Sequence, residues 1–323
     1  MNGTAFWSWA YGVASRERTG STKDFLSKLL ALAVRLVRRF EKDPVVHVRV
    51  GDRFLLMPWS HNLPIILRNN PLYEAEMGRL VQHLAEVDGE LLMIDAGANI
   101  GDTIATLPKV EPAKFLCIEG SERYYDLLRR NLGTDPRAKL EFALLTDVKG
   151  DSKGGKLKEV EGTAHVEAAE DASAAAPWRT LDELLELHPE FKNANFCKVD
   201  CDGYDLRVLQ GGAEFLKRAK PCLHIEFGLQ LWRRYGENEA SDGFAFLSAL
   251  GYTEVLVYDN LGYFITRDRV DNPRVLGILS EYVMRHPEWF YFNLIAFHET
   301  RKDIERFYGR EVDAAIELSK KMV

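Results

Sequence analysis

From Leu91 onward the chain alternates short apolar runs with amphipathic patterns of helical period, and this alternation limits the fold more than any other feature. The runs "LLMID" (91–95), "KFLCIE" (114–119), "KLEFALL" (139–145), "NFCKVD" (195–200), "PCLHIEF" (221–227) and "TEVLVY" (253–258) read as strands. Among them, "SERYYDLLRRNL" (121–132) and "YDLRVLQGGAEFLKRA" (204–219) read as helices. Strands apolar on both faces must be covered on both, and intervening helices supply that cover. The expected fold is therefore α/β, with a doubly wound, mostly parallel sheet. "YFNLIAFH" (291–298) adds a closing strand, and no internal repeat is present.

The first 75 residues follow another pattern. In "PVVHVRVGDRFLLMPW" apolar residues alternate on both sides of Gly51-Asp52, a pair suited to a tight hairpin turn. Upstream, "STKDFLSKLLALAVRLVRRFEKD" sets Phe25, Leu29, Leu30, Ala33, Leu36, Val37 and Phe40 at helical spacing among basic residues, with Ser21 or Thr22 as N-cap. A basic amphipathic helix over residues 21–42 can pack on the body of the protein, join a second copy in a homo-oligomer, or lie on an anionic membrane surface. The expected organisation is an extension over 1–75, a main domain over 76–300, and a C-terminal helix within 301–323 packed on the core. Between Asp147 and Pro177 the periodicity gives way to Gly, Lys, Glu, Ala and Ser. Residues 148–177 are accordingly expected to form a long surface loop, the place to look for acceptor selectivity.

The 323 residues carry 42 Lys and Arg against 49 Asp and Glu, a formal net charge of -7. With no basic excess to neutralise phosphates, nucleic acid is not an expected partner. No apolar run approaches the roughly 20 residues that span a bilayer, and the N-terminus has no basic region ahead of its short apolar centre. The expected location is cytoplasmic, with peripheral contact at the inner membrane face through residues 21–42. Cys117, Cys197, Cys201 and Cys222 form no CxxC pair, so buried reduced thiols are expected in place of zinc or disulfides.

In a doubly wound sheet, ligands bind beyond the carboxyl ends of the strands, at the point where strand order reverses. "LLMIDAGANIGDTIATL" (91–107) ends a strand at Asp95 and continues through Gly97, Asn99 and Gly101 into a helix, a turn that allows close approach to the backbone. Its spacing is not GxGxxG, and there is no GxxxxGK[ST], which disfavours nicotinamide dinucleotides and nucleoside triphosphates. The next strand ends at Glu119, where a carboxylate can bridge the two hydroxyls of a ribose. Spacing alone reaches a nucleoside-binding α/β domain. "NNPLY" (69–73) reads as a turn, not as the NPPY-like signature of amine methyltransferases, because it precedes the glycine turn and lacks a second proline.

The strand-end Asp, glycine turn and strand-end Glu resemble the nucleoside site of class I methyltransferases that use S-adenosylmethionine. "TLDELLE" (180–186), "FCKVDCDGYDLRVLQGG" (196–212) and "PCLHIEF" resemble the FkbM-type methyltransferase family, and the likeness extends over about residues 90–300. This resemblance implies a seven-stranded Rossmann-like sheet, S-adenosyl-L-methionine as cofactor, and O-methylation of a small-molecule or glycan acceptor: a hydroxyl of a sugar, glycolipid or secondary metabolite. It implies a cofactor site of Asp95, Gly97, Asn99, Gly101 and Glu119, with Gly97 making room for the methionine part and Glu119 on the ribose; Asp147 is the candidate at the adenine. Asp202 stands where the family usually has Glu, and Cys201 where it has a small aliphatic residue.

Asp200, Asp202 and Glu226 lie at or just beyond strand ends, so they can converge at the mouth of the sheet and orient or deprotonate a hydroxyl. Lys198 and His224 are second-line candidates. Each has a plainer reading: Asp202-Gly203 as a turn capping the next helix, Lys198 and His224 as strand residues paired with a carboxylate. Three carboxylates can also hold a divalent cation such as Mg2+, an option the sequence does not favour. The reading opposed to an enzyme is a catalytically silent scaffold that keeps the fold, against which stand the intact Asp95, Gly97, Gly101 and Glu119.

Overall fold

The computed structural model describes residues 3–18, 43–148, 156–160, 163–167, 176–232, 239–285 and 291–320. The helix expected over 21–42 lies outside them. The N-terminal stretch forms helix α1 (Gly3–Arg18), which buries Trp7 and Ala10. Strands β1 (Val45–Val50) and β2 (Arg53–Pro58) make the expected hairpin, pairing Val50 with Arg53 across Gly51-Asp52, where Gly51 takes φ 55°. Trp59 closes this layer edge-on to Trp7 and Tyr11, at ring distances of 6.2 and 5.1 Å. Helices α2 (Leu63–Asn69) and α3 (Ala75–Asp88) follow.

The main sheet begins with β3 (Leu91–Ala96), the short helix α4 (Asp102–Thr106), β4 (Ala113–Glu119), α5 (Glu122–Leu132) and β5 (Ala138–Phe142). "KLEFALL" does not stay one strand. After Phe142 the chain leaves β4, and β6 (Leu144–Leu145) pairs instead with β9 (Trp178–Arg179). The 148–177 region is not wholly a loop, because β7 (Lys156–Val160) and β8 (Thr163–Glu167) pair antiparallel. Thr180 then starts α6 (Leu181–Leu187) with a reciprocal cap: its hydroxyl accepts the Glu183 N–H at 3.1 Å, and Glu183 accepts the Thr180 N–H at 3.0 Å.

Next come β10 (Phe196–Val199), α7 (Asp205–Gly211), α8 (Ala213–Ala219), β11 (Cys222–Phe227), α9 (Glu239–Ala249), β12 (Tyr252–Asp259), β13 (Phe264–Arg269), α10 (Arg274–Arg285), β14 (Phe292–His298) and α11 (Ile304–Lys320). The segment 204–219 is two helices broken at Gly212. The sheet order is β13-β12-β14-β11-β10-β3-β4-β5, parallel from β5 to β11, with β14 inserted antiparallel between β11 and β12. Seven strands were expected; β13 adds an eighth at the edge. Ile94, Cys197 and Leu223 pack on the α6–α9 face, while Met93, Phe196 and Cys222 pack on the face covered by α3 and α11. Strand order reverses between β3 and β10, which puts the Asp95 turn and the Asp200 turn side by side.

Candidate active site

The two turns touch because Gly97 has no side chain. Gly97 has φ 83°, and a Cβ there would lie 1.9 Å from the Asp200 carbonyl oxygen. Past it, the Asn99 N–H donates to Glu119 Oε2 at 2.8 Å and the Ser121 N–H donates to Oε1 at 2.7 Å. The Glu119 carboxyl is thereby fixed at the end of β4; burial pushes its pKa up to about 7 against the pull of those amides. It faces a cavity of about 280 Å3 lined also by Gly97, Asn99, Ile118, Leu144 and Leu145.

The other end of the cavity is set by β10. Lys198, only 2% exposed, holds Asp200 at 3.0 Å and Asp95 at 3.4 Å. Burial works against the Lys198 charge, but Asp200, Asp95 and Glu74 outweigh it and hold its pKa well above the usual lysine value. Burial likewise opposes the Asp200 charge, yet Lys198 and a hydrogen bond from Glu226 leave its pKa below the usual range. Glu226 is driven the other way, first by burial and then by Asp200 and Asp202. The two shifts run in opposite directions, so a proton shared by the pair favours Glu226 over Asp200. Burial raises Asp95 to about 6, Lys198 offsetting part of the rise.

Lys198, Asp200, Asp202 and Glu226 line the cavity together, as do Gly97, Asn99 and Glu119. Asp95 lies beneath the floor, fully buried against Lys198. Gly101 is away from the cavity; it has φ 86°, and a Cβ there would strike Leu132 at 2.7 Å. His224 also faces elsewhere, because it is buried on β11 with Nε2 3.2 Å from Glu76 Oε1 under α3. Asp147 points to Arg207, 3.5 Å away, and is not part of the cavity wall. Asp202 does sit in a turn, at φ 51°, but the turn is held by Asp205, which accepts from the Cys201 and Gly203 amides at 3.1 and 2.9 Å. Among the described residues no group of three or more His, Cys, Asp or Glu is arranged to hold a metal ion. Cys117, Cys197 and Cys222 are buried free thiols, and Cys201 sits half-buried on the cavity wall.

The wall also contains His61, Tyr73, Glu74 and Tyr291, none of which the sequence marked as a site residue. The "NNPLY" turn delivers Tyr73 and Glu74, Glu74 in the left-handed conformation at φ 56°. Burial lifts Glu74 to about 8, Lys198 opposing. Tyr291, at the start of β14, hydrogen-bonds Tyr73. The proline turn, for Tyr73 and Glu74, and the closing-strand run "YFNLIAFH", which begins at Tyr291, were the sequence signals near them.

Residues 95–254 match the methyltransferase FkbM domain family. This segment is an FkbM methyltransferase domain. The chain is similar in structure to an FkbM methyltransferase from Methylobacillus flagellatus KT, with 17% identity and TM-score 0.35 over 64% of this chain and 43% of that one. It thus spans less than half the length of that relative. It is similar to an O-methyltransferase from Bacillus cereus in complex with S-adenosylhomocysteine, with 12% identity and TM-score 0.36 over 73% of this chain and 88% of that one. A further likeness is to the O-methyltransferase of tomaymycin synthesis from Streptomyces achromogenes, with 13% identity and TM-score 0.34 over 74% of this chain and 87% of that one. No curated protein sequence matches the chain. Among the described residues no helix is long and apolar enough to cross a membrane.

Proposed function

We propose that this FkbM-domain chain is an S-adenosylmethionine-dependent O-methyltransferase acting on a hydroxyl of a sugar, glycolipid or secondary metabolite. The observation that carries the reading is Asp200: a carboxylate held 3.0 Å from Lys198, beside Glu226 in the same cavity wall, and set across the Gly97 turn from Glu119. A hydroxyl becomes a competent nucleophile as its proton is drawn off, and Asp200 is placed to accept that proton. Lys198 keeps Asp200 ionised, and Glu226 stabilises the negative charge by donating to it.

The cavity fits the cofactor on its own evidence. Glu119 presents a carboxyl for ribose hydroxyls, Ile118, Leu144 and Leu145 form an apolar slot for the adenine, and Gly97 leaves the backbone open to the methionine part. Bound there, S-adenosylmethionine supplies a methyl group activated by a sulfonium. The chain's task is to align the acceptor and manage its proton.

Calorimetric titration with S-adenosylhomocysteine tests the cofactor half: micromolar binding by the parent protein, lost in Glu119→Ala, is expected. Methyl transfer from labelled donor to a panel of neutral hydroxylated acceptors tests the other half. Binding without transfer to any acceptor, at any pH from 6 to 9, would favour the scaffold reading.

A further inference from the structure

The segment between β2 and α2 reaches the cavity through His61, Asn62 and Leu63. His61 is only 7% exposed, and its Nδ1 accepts the Leu63 N–H at 3.3 Å. An accepting Nδ1 puts the proton of the neutral ring on Nε2. Burial holds His61 below the usual histidine range, although Asp102, Asn99 and Asp43 act in the opposite direction. The Nε2–H is thus a buried donor in the cavity wall, and what faces it within the chain is the Asn99 side chain, in a contact short of ordinary hydrogen-bond geometry. A buried donor held that loosely can be taken over by a ligand atom that accepts in better geometry.

Asp102 decides which atom. It lines the same wall and interacts electrostatically with His61, and Thr103 adds a hydroxyl beside it. A carboxyl next to an imidazole N–H offers an acceptor and a donor side by side, the complement of an ammonium and a carboxylate on one carbon. The ribose hydroxyls have Glu119, and adenine carries no anionic acceptor. We propose that His61 donates from Nε2 to the carboxylate of the cofactor's amino-acid end while Asp102 accepts from its ammonium, so that the N-terminal extension completes the cofactor site. This assignment rests on the S-adenosylmethionine reading above.

The test compares two ligands by calorimetry: S-adenosylhomocysteine, and 5′-methylthioadenosine, which keeps adenine, ribose and thioether but has no amino-acid end. His61→Ala is expected to weaken S-adenosylhomocysteine roughly tenfold or more and to leave 5′-methylthioadenosine unchanged. The second ligand doubles as a control for folding. His61→Gln, which keeps a donor, should recover part of the loss. Equal weakening of both ligands, or no weakening of S-adenosylhomocysteine, overturns the assignment. If the parent protein binds neither ligand, the cofactor reading falls and takes this one with it; if it binds both and His61→Ala changes nothing, only this one falls.

Discussion

A methyl group added at Gly97 would meet the Asp200 carbonyl oxygen at 1.9 Å, on a backbone whose φ of 83° already excludes most side chains. The contact is with backbone, which cannot swing aside, so Gly97→Ala must separate the two turns that carry Glu119's neighbours and Asp200. We expect it to weaken S-adenosylhomocysteine by at least about 100-fold, well beyond an ordinary packing change; affinity within about threefold of the parent would show that the turns are not coupled. Asp200 and Glu226 should also separate by rate. Asp200→Asn removes the proton acceptor and leaves Lys198 with Asp95 and Glu74, so kcat should fall by ~100-fold or more. Glu226→Gln keeps a donor toward Asp200 and should cost less than ~10-fold; initial rates showing the reverse order would exchange their roles. Asp95, Gly97, Glu119 and Asp200 were legible because each closes an apolar strand, and strand ends are where this topology gathers ligands. His61, Tyr73, Glu74 and Tyr291 were not, because they arrive from segments far off in sequence and their burial is decided by tertiary packing. His224 misled for a related reason: two residues before Glu226, on the same sheet face, it lies deep enough for Glu76 to claim it.

At the scale of elements, strands read well where both faces are buried: every position of "FCKV" is buried, and its one charged residue, Lys198, is paired with Asp200 and Asp95. They read badly where a run serves two partners. "KLEFALL" divides because Gly120 lets Leu144 close in, a Cβ there lying 2.4 Å from Leu144 Cδ2, and β6 then pairs with β9 beyond the edge of the main sheet. The edge strand β13 is not legible because four of the six residues of "FITRDR" are polar and none is fully buried, with nothing to mark it against a loop. Helix α6 owes its start to the Thr180–Glu183 box, so Thr180→Ala should cost about 1 kcal/mol in urea unfolding with an unchanged m-value. Gly211 is the stricter position, for a Cβ would lie 2.0 Å from the Thr146 carbonyl oxygen where α7 passes the end of β6. Gly211→Ala should destabilise by ~1–3 kcal/mol, more than Thr180→Ala; a smaller effect would mean that α7 is free to shift.

For the whole molecule, the site concentrates acids that hold protons more tightly folded than unfolded. Burial, the largest cause in each case, raises Asp95 to about 6, Glu119 to about 7, and Glu74 and Asp205 to about 8, whereas unfolded carboxyls titrate near ~4. Between those limits the native state binds more protons than the unfolded chain, so stability falls as pH rises from about 5 to about 8. His61 and His298 oppose this, because burial lowers both and the unfolded chain then binds the extra proton. Burial also raises Asp102, Glu226 and Asp259, so two histidines against seven carboxyls leave the sign unchanged. Asp135 and Asp303, held far below the usual range by arginines and, for Asp303, by His83, contribute stability that disappears only as pH drops below ~4, outside this window. Lys198 and Asp200, shifted toward their charged forms, add no slope within it. The ligand-free protein should therefore melt at a lower temperature at pH 8 than at pH 6.5, and lower at pH 6.5 than at pH 5.5. The Glu74→Gln, Glu119→Gln double variant should flatten that dependence between pH 6.5 and 8, since two of the groups raised into that window no longer titrate. A midpoint that climbs with pH across the range in the parent protein would mean that the carboxyls around the cavity are ionised, and that the proton on Glu226 has no basis.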